Sequence, residues 1–302
     1  MILCRTLTEL SEQLTKLKHN CSNRSNGSNG SVGFVPTMGY LHEGHASLLR
    51  RSRAENDISV LSIFVNPLQF GPNEDLDRYP RDEKRDLALA EECQVDLVFL
   101  PSTEEMYPKK PLTRVLVSGL TSKLCGASRP GHFDGVGMVV GKLFHLIGPT
   151  RAYFGMKDAQ QVAVIQQMVD DLNYPVEIVP CPIVREPDGL ALSSRNVYLS
   201  AEERAEAVVL SQTLQAAAQW IQEDGMTAEA LLERVRQQIS NAHHADIDYA
   251  ELYTYPSLEE VPAAAPILLQ SDKLILALAV KFGSTRLIDN RLLYPNEVIN
   301  HA

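Results

Sequence analysis

The sequence of 302 residues lacks the patterns that mark membrane, secreted and nucleic-acid-binding proteins. No apolar run approaches the roughly 18 residues needed to span a bilayer, and the N-terminus lacks the long apolar core of a signal peptide. The 28 lysines and arginines stand against 38 aspartates and glutamates, which gives a formal net charge of −10. We therefore expect no membrane partner and no basic face for nucleic acid.

Paired cysteines and the common catalytic motifs are also missing. The five cysteines are scattered and never form a C-x-x-C pair, which favours reduced thiols in the cytoplasm and argues against a zinc site. There is no G-x-S-x-G motif, no glycine run ending in Gly-Lys-Ser/Thr, and no pair of carboxylates placed for acid–base work. Any phosphate site must therefore depend on histidines and on scattered lysine, arginine and serine.

One stretch carries most of the information, the run VGFVPTMGYLHEGH at residues 32–45. Its small and apolar beginning predicts a short buried strand, and Pro36 and Gly39 end that strand. Leucines from residue 41 onward then predict a helix, with His42 and His45 at its start. Unpaired N–H groups and the helix dipole favour an anion there. The alternative is an ordinary strand-to-helix turn with two surface histidines.

The next apolar run, residues 57–65, predicts a strand buried on both faces. Strand, helix and strand in succession predict a βαβ unit with parallel pairing, and further strands are expected at residues 95–100, 152–155 and 176–180. Ligands of such sheets bind beyond the carboxyl ends of the strands. The residues that follow the first two strand ends are Pro36, Thr37, Met38, Asn66, Gln69 and Phe70.

The C-terminal third has a different composition. Residues 201–220 and 227–240 predict helices rich in Ala, Glu and Gln, and residues 248–253 and 273–280 predict strands of a smaller sheet. The predicted fold class is α/β, with a Rossmann-like parallel-sheet domain at residues 1–183 and a smaller α+β lid domain at residues 184–302. Residues 21–31 predict a flexible surface loop, residues 114–117 a short edge strand, and the polar residues 184–196 a mobile loop.

Three further polar groups have both a functional and a structural interpretation. Lys157 and Asp158, with Gln161 one helical turn later, could meet a phosphate or simply start a solvated helix. The run Ser193-Ser194-Arg195 could hold a triphosphate or cap a helix. Arg129 and His132 could line a polar pocket or lie on a turn fixed by proline and glycine. The residues alone leave these alternatives open.

Six blocks together resemble one enzyme family. They are PTMGYLHEGH, IFVNPLQFGPNEDLDRYPR, RPGHFDGV, FGMKDAQQ, REPDGLALSSRN and GSTRLIDN. In this order they are similar to the pantothenate synthetase (pantoate–β-alanine ligase) family of the nucleotidylyl-transferase superfamily, and the resemblance runs from about residue 32 to residue 290.

The resemblance implies an enzyme that joins pantoate to β-alanine through a pantoyl adenylate and converts ATP to AMP and pyrophosphate. It implies Mg²⁺ on the ATP phosphates and a homodimer in the cytoplasm. The alternatives are another adenylyl transferase of the superfamily and a non-catalytic nucleotide-binding protein.

The resemblance also implies roles for individual residues. His42, His45, Lys157, Ser193, Ser194 and Arg195 would hold the phosphates and act as the catalytic set. Met38, Gln69, Phe70 and Gln161 would bind pantoate, and Asn66 and Arg129 would add polar lining. The implied ATP site consists of Pro36, Thr37, Met38, His42, His45, Gly155, Lys157, Asp158, Val184, Leu192, Ser193, Ser194 and Arg195.

Some positions depart from the family pattern. Ala159, Met156 and Leu192 stand where the family usually has an aromatic residue, a glutamate or glutamine, and a methionine. Of the carboxylates proposed to bind magnesium in the family, Asp86 is present but Arg85 precedes it. We therefore assign no protein ligand to Mg²⁺, which is often held mainly by phosphates and water.

Overall fold

Six parallel strands form the larger sheet. The structure is a computed structural model that describes residues 1–24, 30–72 and 74–295. The strands are β1 (Ile2–Cys4), β2 (Val32–Thr37), β3 (Ile58–Ile63), β4 (Leu97–Phe99), β5 (Arg151–Gly155) and β6 (Glu177–Cys181). They lie in the order β1-β4-β3-β2-β5-β6, and every neighbouring pair is parallel.

The helices that connect these strands are the crossovers that parallel pairing requires. They are α1 (Leu7–Arg24), α2 (Glu43–Glu55), α3 (Glu83–Glu92), α4 (Thr103–Met106), α5 (Leu124–Ser128), α6 (His132–Ile147) and α7 (Ala159–Leu172). All six residues of β3 are buried, as its unbroken apolar run predicts. Apolar side chains of β2, β3 and α2 share one core, which includes Val35, Leu49 and Leu61.

The chain order places a switch point at β2. From β2 the sheet continues through β3 and β4 on one side and through β5 and β6 on the other. Crossovers that leave in opposite directions open a crevice at the carboxyl ends of β2 and β5, where ligands of open α/β sheets bind. Thr37 and Gly155 end these two strands.

A second sheet is antiparallel and has three strands, β7 (Ala245–Thr254), β8 (Leu274–Phe282) and β9 (Thr285–Leu293), with β8 in the centre. Its helices are α8 (Ala201–Glu206), α9 (Val209–Trp220) and α10 (Ala228–Ile239). Every residue of β8 except Lys281 is buried. The core of this part includes Leu214 and Leu231 from the helices and Leu276 from the sheet.

The chain divides into two compact units. The first consists of Met1–Thr121, Arg129–Met156 and Val164–Val184, and the second of Ser122–Ser128, Lys157–Ala163 and Arg185–Ala302. Two short segments that precede residue 184, Ser122–Ser128 and Lys157–Ala163, therefore belong with the second unit. The assignment of functional domains to residues 1–183 and 184–302 stays a prediction.

The structure confirms the α/β class with a smaller antiparallel part, and several local predictions change. Helix α1 continues through Arg24, so the loop predicted at residues 21–31 begins later; residues 25–29 of it lie outside the described residues. Residues 114–117 form no strand, and the helix predicted at residues 201–220 is two helices. The strands β1 and β9 were not predicted. Among the described residues, every helix lacks the length and apolar character needed to cross a membrane.

Candidate active site

The chain leaves β2 through a turn with two left-handed residues. Gly39 has φ of 84° and Tyr40 has φ of 49°, a conformation that an L-residue with a side chain rarely adopts. The turn is supported from α3, where the Asp86 carboxylate accepts hydrogen bonds from the backbone N–H groups of Tyr40 (2.8 Å) and Leu41 (2.6 Å). These bonds fix the backbone directly before His42.

Asp86 is therefore a structural carboxylate of this turn. It is only 2% exposed, and its burial raises the pKa of its carboxyl group, with the two N–H groups opposing that shift. Both of its oxygens already accept hydrogen bonds, so the geometry does not favour Asp86 as a metal ligand. Sequence reasoning noted Asp86 only in connection with magnesium and missed this role.

His42 and His45 form a reciprocal cap at the start of α2. His42 is the N-cap residue, and its Nδ1 accepts from the N–H of Gly44 at 3.1 Å. Nδ1 of His45 accepts from the N–H of His42 at 3.3 Å, and the two ring centroids lie 4.1 Å apart. This is the arrangement of a capping box with imidazoles in place of the usual hydroxyl and carboxyl groups.

The cap also determines the chemistry of the two rings. A neutral imidazole that accepts through Nδ1 carries its proton on Nε2. Both rings are therefore oriented as Nε2–H donors at the positive end of a helix of 13 residues. Helix capping and phosphate binding by this motif are therefore compatible. Nδ1 of each ring accepts from a backbone N–H, and Nε2–H is a hydrogen-bond donor of the kind that binds phosphate.

Asn66 and Gln69 organise the end of β3. Asn66 is 1% exposed, and its Nδ2 donates to Gln69 Oε1 (3.2 Å) and to the carbonyl of Gly135 (3.0 Å). Its Oδ1 accepts from the hydroxyl of Tyr107 at 3.1 Å. Gln69, itself 8% exposed, places Nε2 3.0 Å from Sδ of Met38. The amide of Gln69, after β3, thus contacts the thioether of Met38, after β2.

A glycine allows α6 to approach this turn closely. A Cβ atom added to Gly135 would lie 2.3 Å from the carbonyl oxygen of Leu68 and 2.6 Å from the backbone nitrogen of Gln69. Both are backbone atoms of the Pro67–Gln69 turn and cannot move aside as a flexible side chain could. The absence of a side chain at Gly135 therefore determines where Gln69 lies.

Arg129 pairs with a carboxylate that sequence reasoning missed. Its guanidinium makes a two-point contact with Glu74, one bond from Nε to Oε1 measuring 2.8 Å. Burial, the largest single effect, raises the pKa of Glu74, but the hydrogen bond and the charge of Arg129, with His132 and the N–H of Gly71, together outweigh it and the pKa is lowered. His132 donates from Nδ1 to the carbonyl of Gln69 at 2.8 Å and lies 3.2 Å from Arg129 through Nε2. Arg129 also donates to the carbonyl of Gln69 at 3.4 Å and therefore supports the Gln69 turn directly.

The remaining predicted residues of the first unit lie at or after the ends of β2, β3, β5 and β6. The hydroxyl of Thr37 donates to the carbonyl of Ser62 at 2.8 Å and accepts from the N–H of Gly39 at 3.2 Å, so Thr37 shapes the turn. Pro36 precedes it on β2, and the ring of Phe70 packs edge-on against Tyr79. Gly155 ends β5, and a Cβ atom there would meet no described atom within 4 Å. Val184 is the last residue of the unit.

Lys157 and Asp158 belong to the second unit, where they lie in the Met156–Asp158 turn. The ammonium of Lys157 is 3.4 Å from Oδ2 of Asp158, and its side chain is largely buried. Its carbonyl oxygen accepts from Nδ2 of Asn290 at 2.9 Å. Gln161 follows on the first turn of α7, and Ala159 before it is buried.

The serine–arginine run forms a short capped turn in the same unit. The hydroxyl of Ser193 accepts from the N–H of Arg195 at 3.3 Å and starts the Ser194–Tyr198 turn. The capping interpretation of Ser193 is therefore confirmed. Leu192 and Ser194 flank Ser193 in the chain and are partly buried.

The preceding segment, predicted as a mobile loop, contains regular hydrogen bonds, and its mobility stays a prediction. Arg185 and Ala191 form a β-bridge, and the N–H of Glu186 donates to the carbonyl of Leu190 at 2.8 Å. Gly189 supplies the left-handed turn residue, with φ of 99°. The segment is thus a hydrogen-bonded turn of the second unit.

Some of the predicted residues contact one another, and each set of contacts lies within one unit. In the first unit, direct contacts join Met38, Asn66, Gln69 and Arg129, and His42 contacts His45. In the second, Lys157 contacts Asp158, and Ser193 contacts Arg195. The supporting residues that the sequence did not reveal are Glu74, Asp86, Tyr107, Gly135, Asp289 and Asn290.

A family model and solved structures identify the family. The model described as pantoate-beta-alanine ligase matches residues 3–292. The pantothenate synthetase of Geobacillus kaustophilus is 56% identical over 259 residues, covering 86% of this chain and 84% of the relative. The pantothenate synthetase structure from Thermus thermophilus has a TM-score of 0.86 at 46% identity, covering 98% of this chain and 100% of that one.

A further solved structure carries ligands. It is a pantoate-beta-alanine ligase from Francisella tularensis, complexed with beta-gamma ATP and β-alanine. It has a TM-score of 0.76 at 33% identity and covers 98% of this chain and 100% of its own. On the family model, the sequence identity and the shared fold, this chain belongs to the pantoate–β-alanine ligase family.

Proposed function

We propose that the chain catalyses the ATP-dependent joining of pantoate to β-alanine, with AMP and pyrophosphate as the other products. The observation that carries the proposal is the meeting of Gln69 and Met38 at the ends of β3 and β2, beside the histidine cap of α2. An amide and a thioether suit a small hydroxy acid with an apolar face, and Nε2–H donors suit phosphate. Membership of the family supports both assignments.

The first step would be attack of the pantoate carboxylate on the α-phosphorus of ATP. A carboxylate is ionised at neutral pH, so no general base is required. Gln69 and Gln161 would orient pantoate, and Met38 and Phe70 would contact its methyl groups. His42, His45, Lys157, Ser193, Ser194 and Arg195 would stabilise charge on the phosphates as the bond to pyrophosphate breaks.

The second step would be attack of the β-alanine amine on the carbonyl carbon of the pantoyl adenylate. The bond to the adenylate oxygen breaks and AMP leaves. No enzyme nucleophile is required in either step, because positioning and charge stabilisation can supply the rate.

Mg²⁺ would accompany ATP and neutralise part of the phosphate charge. Among the residues that the structure describes, no group of three histidine, cysteine, aspartate or glutamate side chains could hold a metal ion. Mg²⁺ is often bound mainly by phosphate oxygens and water, and we propose the same here, with no protein ligand assigned.

We also propose a homodimer in the cytoplasm. The dimer rests on the resemblance to the family. The cytoplasmic location rests on the character of the cysteines, since Cys4, Cys93, Cys125 and Cys181 are free thiols. For the C-terminal part we propose that residues 184–302 act as a lid domain that supplies Ser193, Ser194 and Arg195.

The decisive assay contains the protein, ATP, Mg²⁺, pantoate and β-alanine, with AMP and pantothenate as the measured products. Equal amounts of both products are expected. Release of pyrophosphate with stable transfer of the adenylyl group to a different acceptor, and without free AMP, would indicate another adenylyl transferase. ATP binding with no turnover would indicate a nucleotide-binding protein.

A further inference from the structure

Two adjacent polar residues of β9 are buried although β9 is an edge strand. Asp289 is 2% exposed and Asn290 is 6% exposed. Successive side chains of a strand point to opposite faces, so these two residues reach different neighbours. Buried polar groups are expensive to desolvate unless they are well hydrogen-bonded, which makes their partners informative.

Asp289 binds the segment that leads to Ser193. Its two oxygens accept from the two terminal nitrogens of Arg185 at 2.6 and 2.9 Å, a two-point pair in which the carboxylate side chain is only 1% exposed. Arg185 also donates to the carbonyl of Gly189 at 3.1 Å. Ala191 pairs with Arg185 in the β-bridge. Its carbonyl oxygen accepts from Nδ2 of Asn196 at 3.1 Å.

This series of contacts leads to the serine–arginine turn. It starts at Asp289, runs through Arg185 and Ala191, and ends at Asn196 within the Ser194–Tyr198 turn. Strand β9 also packs directly against that turn. The position of Ser193 and its two neighbours therefore depends on a carboxylate of β9.

Asn290 binds the other half of the proposed phosphate site. Its Nδ2 donates to the carbonyl oxygen of Lys157 at 2.9 Å, and its own N–H donates to Oδ1 of Asp289 at 2.8 Å. The bond to Lys157 fixes the backbone from which the lysine side chain extends. Asn290 thus contacts Lys157 directly, and its neighbour Asp289 reaches the turn at residues 193–195 by way of Arg185.

We propose that Asp289 and Asn290 are positioning residues for the reaction, which set the distance between the Lys157 ammonium and the serine–arginine turn. This inference rests on the proposed function of those groups. A buried ion pair contributes little net stability compared with apolar residues of similar size, so stability alone does not account for this one. A site that stabilises charge in the transition state, however, needs its donors fixed in advance.

The test is a double-mutant cycle on the full-length protein. Pantoate-dependent exchange of labelled pyrophosphate into ATP is measured for Asn290→Ala and for Asn290→Asp, which keeps the size but replaces the donor. Each change is made with Lys157 present and in a Lys157→Ala background. Arg291→Ala, at the exposed next position of β9, is the matched control.

If Asn290 acts through Lys157, its loss should reduce kcat for exchange about tenfold with Lys157 present and less than about twofold without it. The KM for pantoate and the exchange rate of the Arg291→Ala control should change less than about twofold. A reduction by the same factor in both backgrounds would overturn the proposal. Loss of cooperative unfolding in both Asn290 variants would also overturn it, because the residue would then belong to the folding core.

The second arm addresses Asp289. Asp289→Asn keeps the shape but removes the charge that holds Arg185, so the KM for pyrophosphate should rise about fivefold or more. In an Arg195→Ala background the same change should have less than about a twofold effect. Equal effects in both backgrounds would contradict the role of Asp289. A wild-type protein that forms no pantothenate would instead contradict the proposed function itself.

Discussion

At the scale of single residues, most polar side chains of the candidate site hold the local backbone or a neighbouring side chain in place. His42 and His45 cap a helix with one nitrogen each, and Asn66 uses its amide to hold Gln69. Lys157 differs, because its ammonium has only the 3.4 Å contact with Asp158 as a close charge pair among the described residues. A positive charge held at a fixed backbone position suits the phosphates of ATP.

Lys157→Ala should therefore reduce pyrophosphate exchange by about a hundredfold or more, which corresponds to roughly 2.7 kcal/mol of barrier. The affinity for pantoate should change much less, because Gln69 and Gln161 are proposed to hold that substrate. Lys157→Arg should restore little activity, since a planar guanidinium does not replace a compact ammonium. The measurement is steady-state exchange, with Lys273→Ala, an exposed lysine of the same unit, as the control. Near-normal exchange in folded Lys157→Ala would remove Lys157 from the catalytic set.

The Arg129–Glu74 pair predicts a pH-dependent contribution to stability. The pKa of Glu74 is lowered in the folded protein, so its contribution is present above the ordinary glutamate pKa and is lost as the pH falls through the folded-state pKa. Arg129→Gln removes the partner. The difference in unfolding free energy between wild type and Arg129→Gln should be largest near pH 7 and should shrink below about pH 4.

Urea denaturation across this pH range measures the difference. Arg114→Gln, an exposed arginine of the same unit, should show no such trend. A difference between wild type and Arg129→Gln that stayed constant, or grew toward low pH, would contradict the assignment of Glu74 as the ionised partner.

At the scale of elements, the site depends on how three helices meet the strand ends. Helix α3 supplies Asp86 to the turn after β2, α2 begins at the histidine cap, and α6 contacts the Pro67–Gln69 turn at Gly135. Each contact involves backbone atoms, so a shift of one of these helices would also move the turn that it contacts.

Gly135→Ala should separate α6 from the Pro67–Gln69 turn. The added methyl group would lie 2.3 Å from the Leu68 carbonyl, and overpacking of this kind destabilises proteins by about 1–3 kcal/mol. The displacement of Gln69 should also raise the KM for pantoate. The control is Gly141→Ala on the same helix, where the nearest atom is the Tyr174 hydroxyl at 3.1 Å, the end of a side chain. Equal thermal stability and equal KM in the two variants would argue against the close approach as a determinant of the site.

Periodicity predicted the strands of the parallel sheet and their carboxyl ends because apolar runs such as residues 57–65 have few other interpretations. It missed β1, which is three residues long, and β9, whose sequence TRLIDNRLL carries charged and amide residues among its apolar ones. Asp289 and Asn290 interrupt the apolar pattern by which β9 could have been predicted. These two residues are also the ones that bind Arg185 and Lys157. Local sequence could not reveal them, because Arg185 and Lys157 are more than a hundred residues away in the chain.

At the scale of the whole molecule, the chain carries the proposed chemistry on two units. The first unit holds the histidine cap and the Gln69 group, and the second holds Lys157 and the serine–arginine turn. The order of motifs along the chain indicated the family, but only the structure showed that Lys157–Ala163 belongs with the second unit. The division into units depends on contacts between residues that are far apart in the chain, and these contacts cannot be predicted from composition.

In the proposed reaction, a pantoyl adenylate forms before β-alanine reacts. The most direct measurement is exchange of labelled pyrophosphate into ATP with Mg²⁺ and pantoate present and β-alanine absent. Exchange should require pantoate and should proceed without β-alanine. Exchange that occurs only when β-alanine is added would contradict the adenylate route.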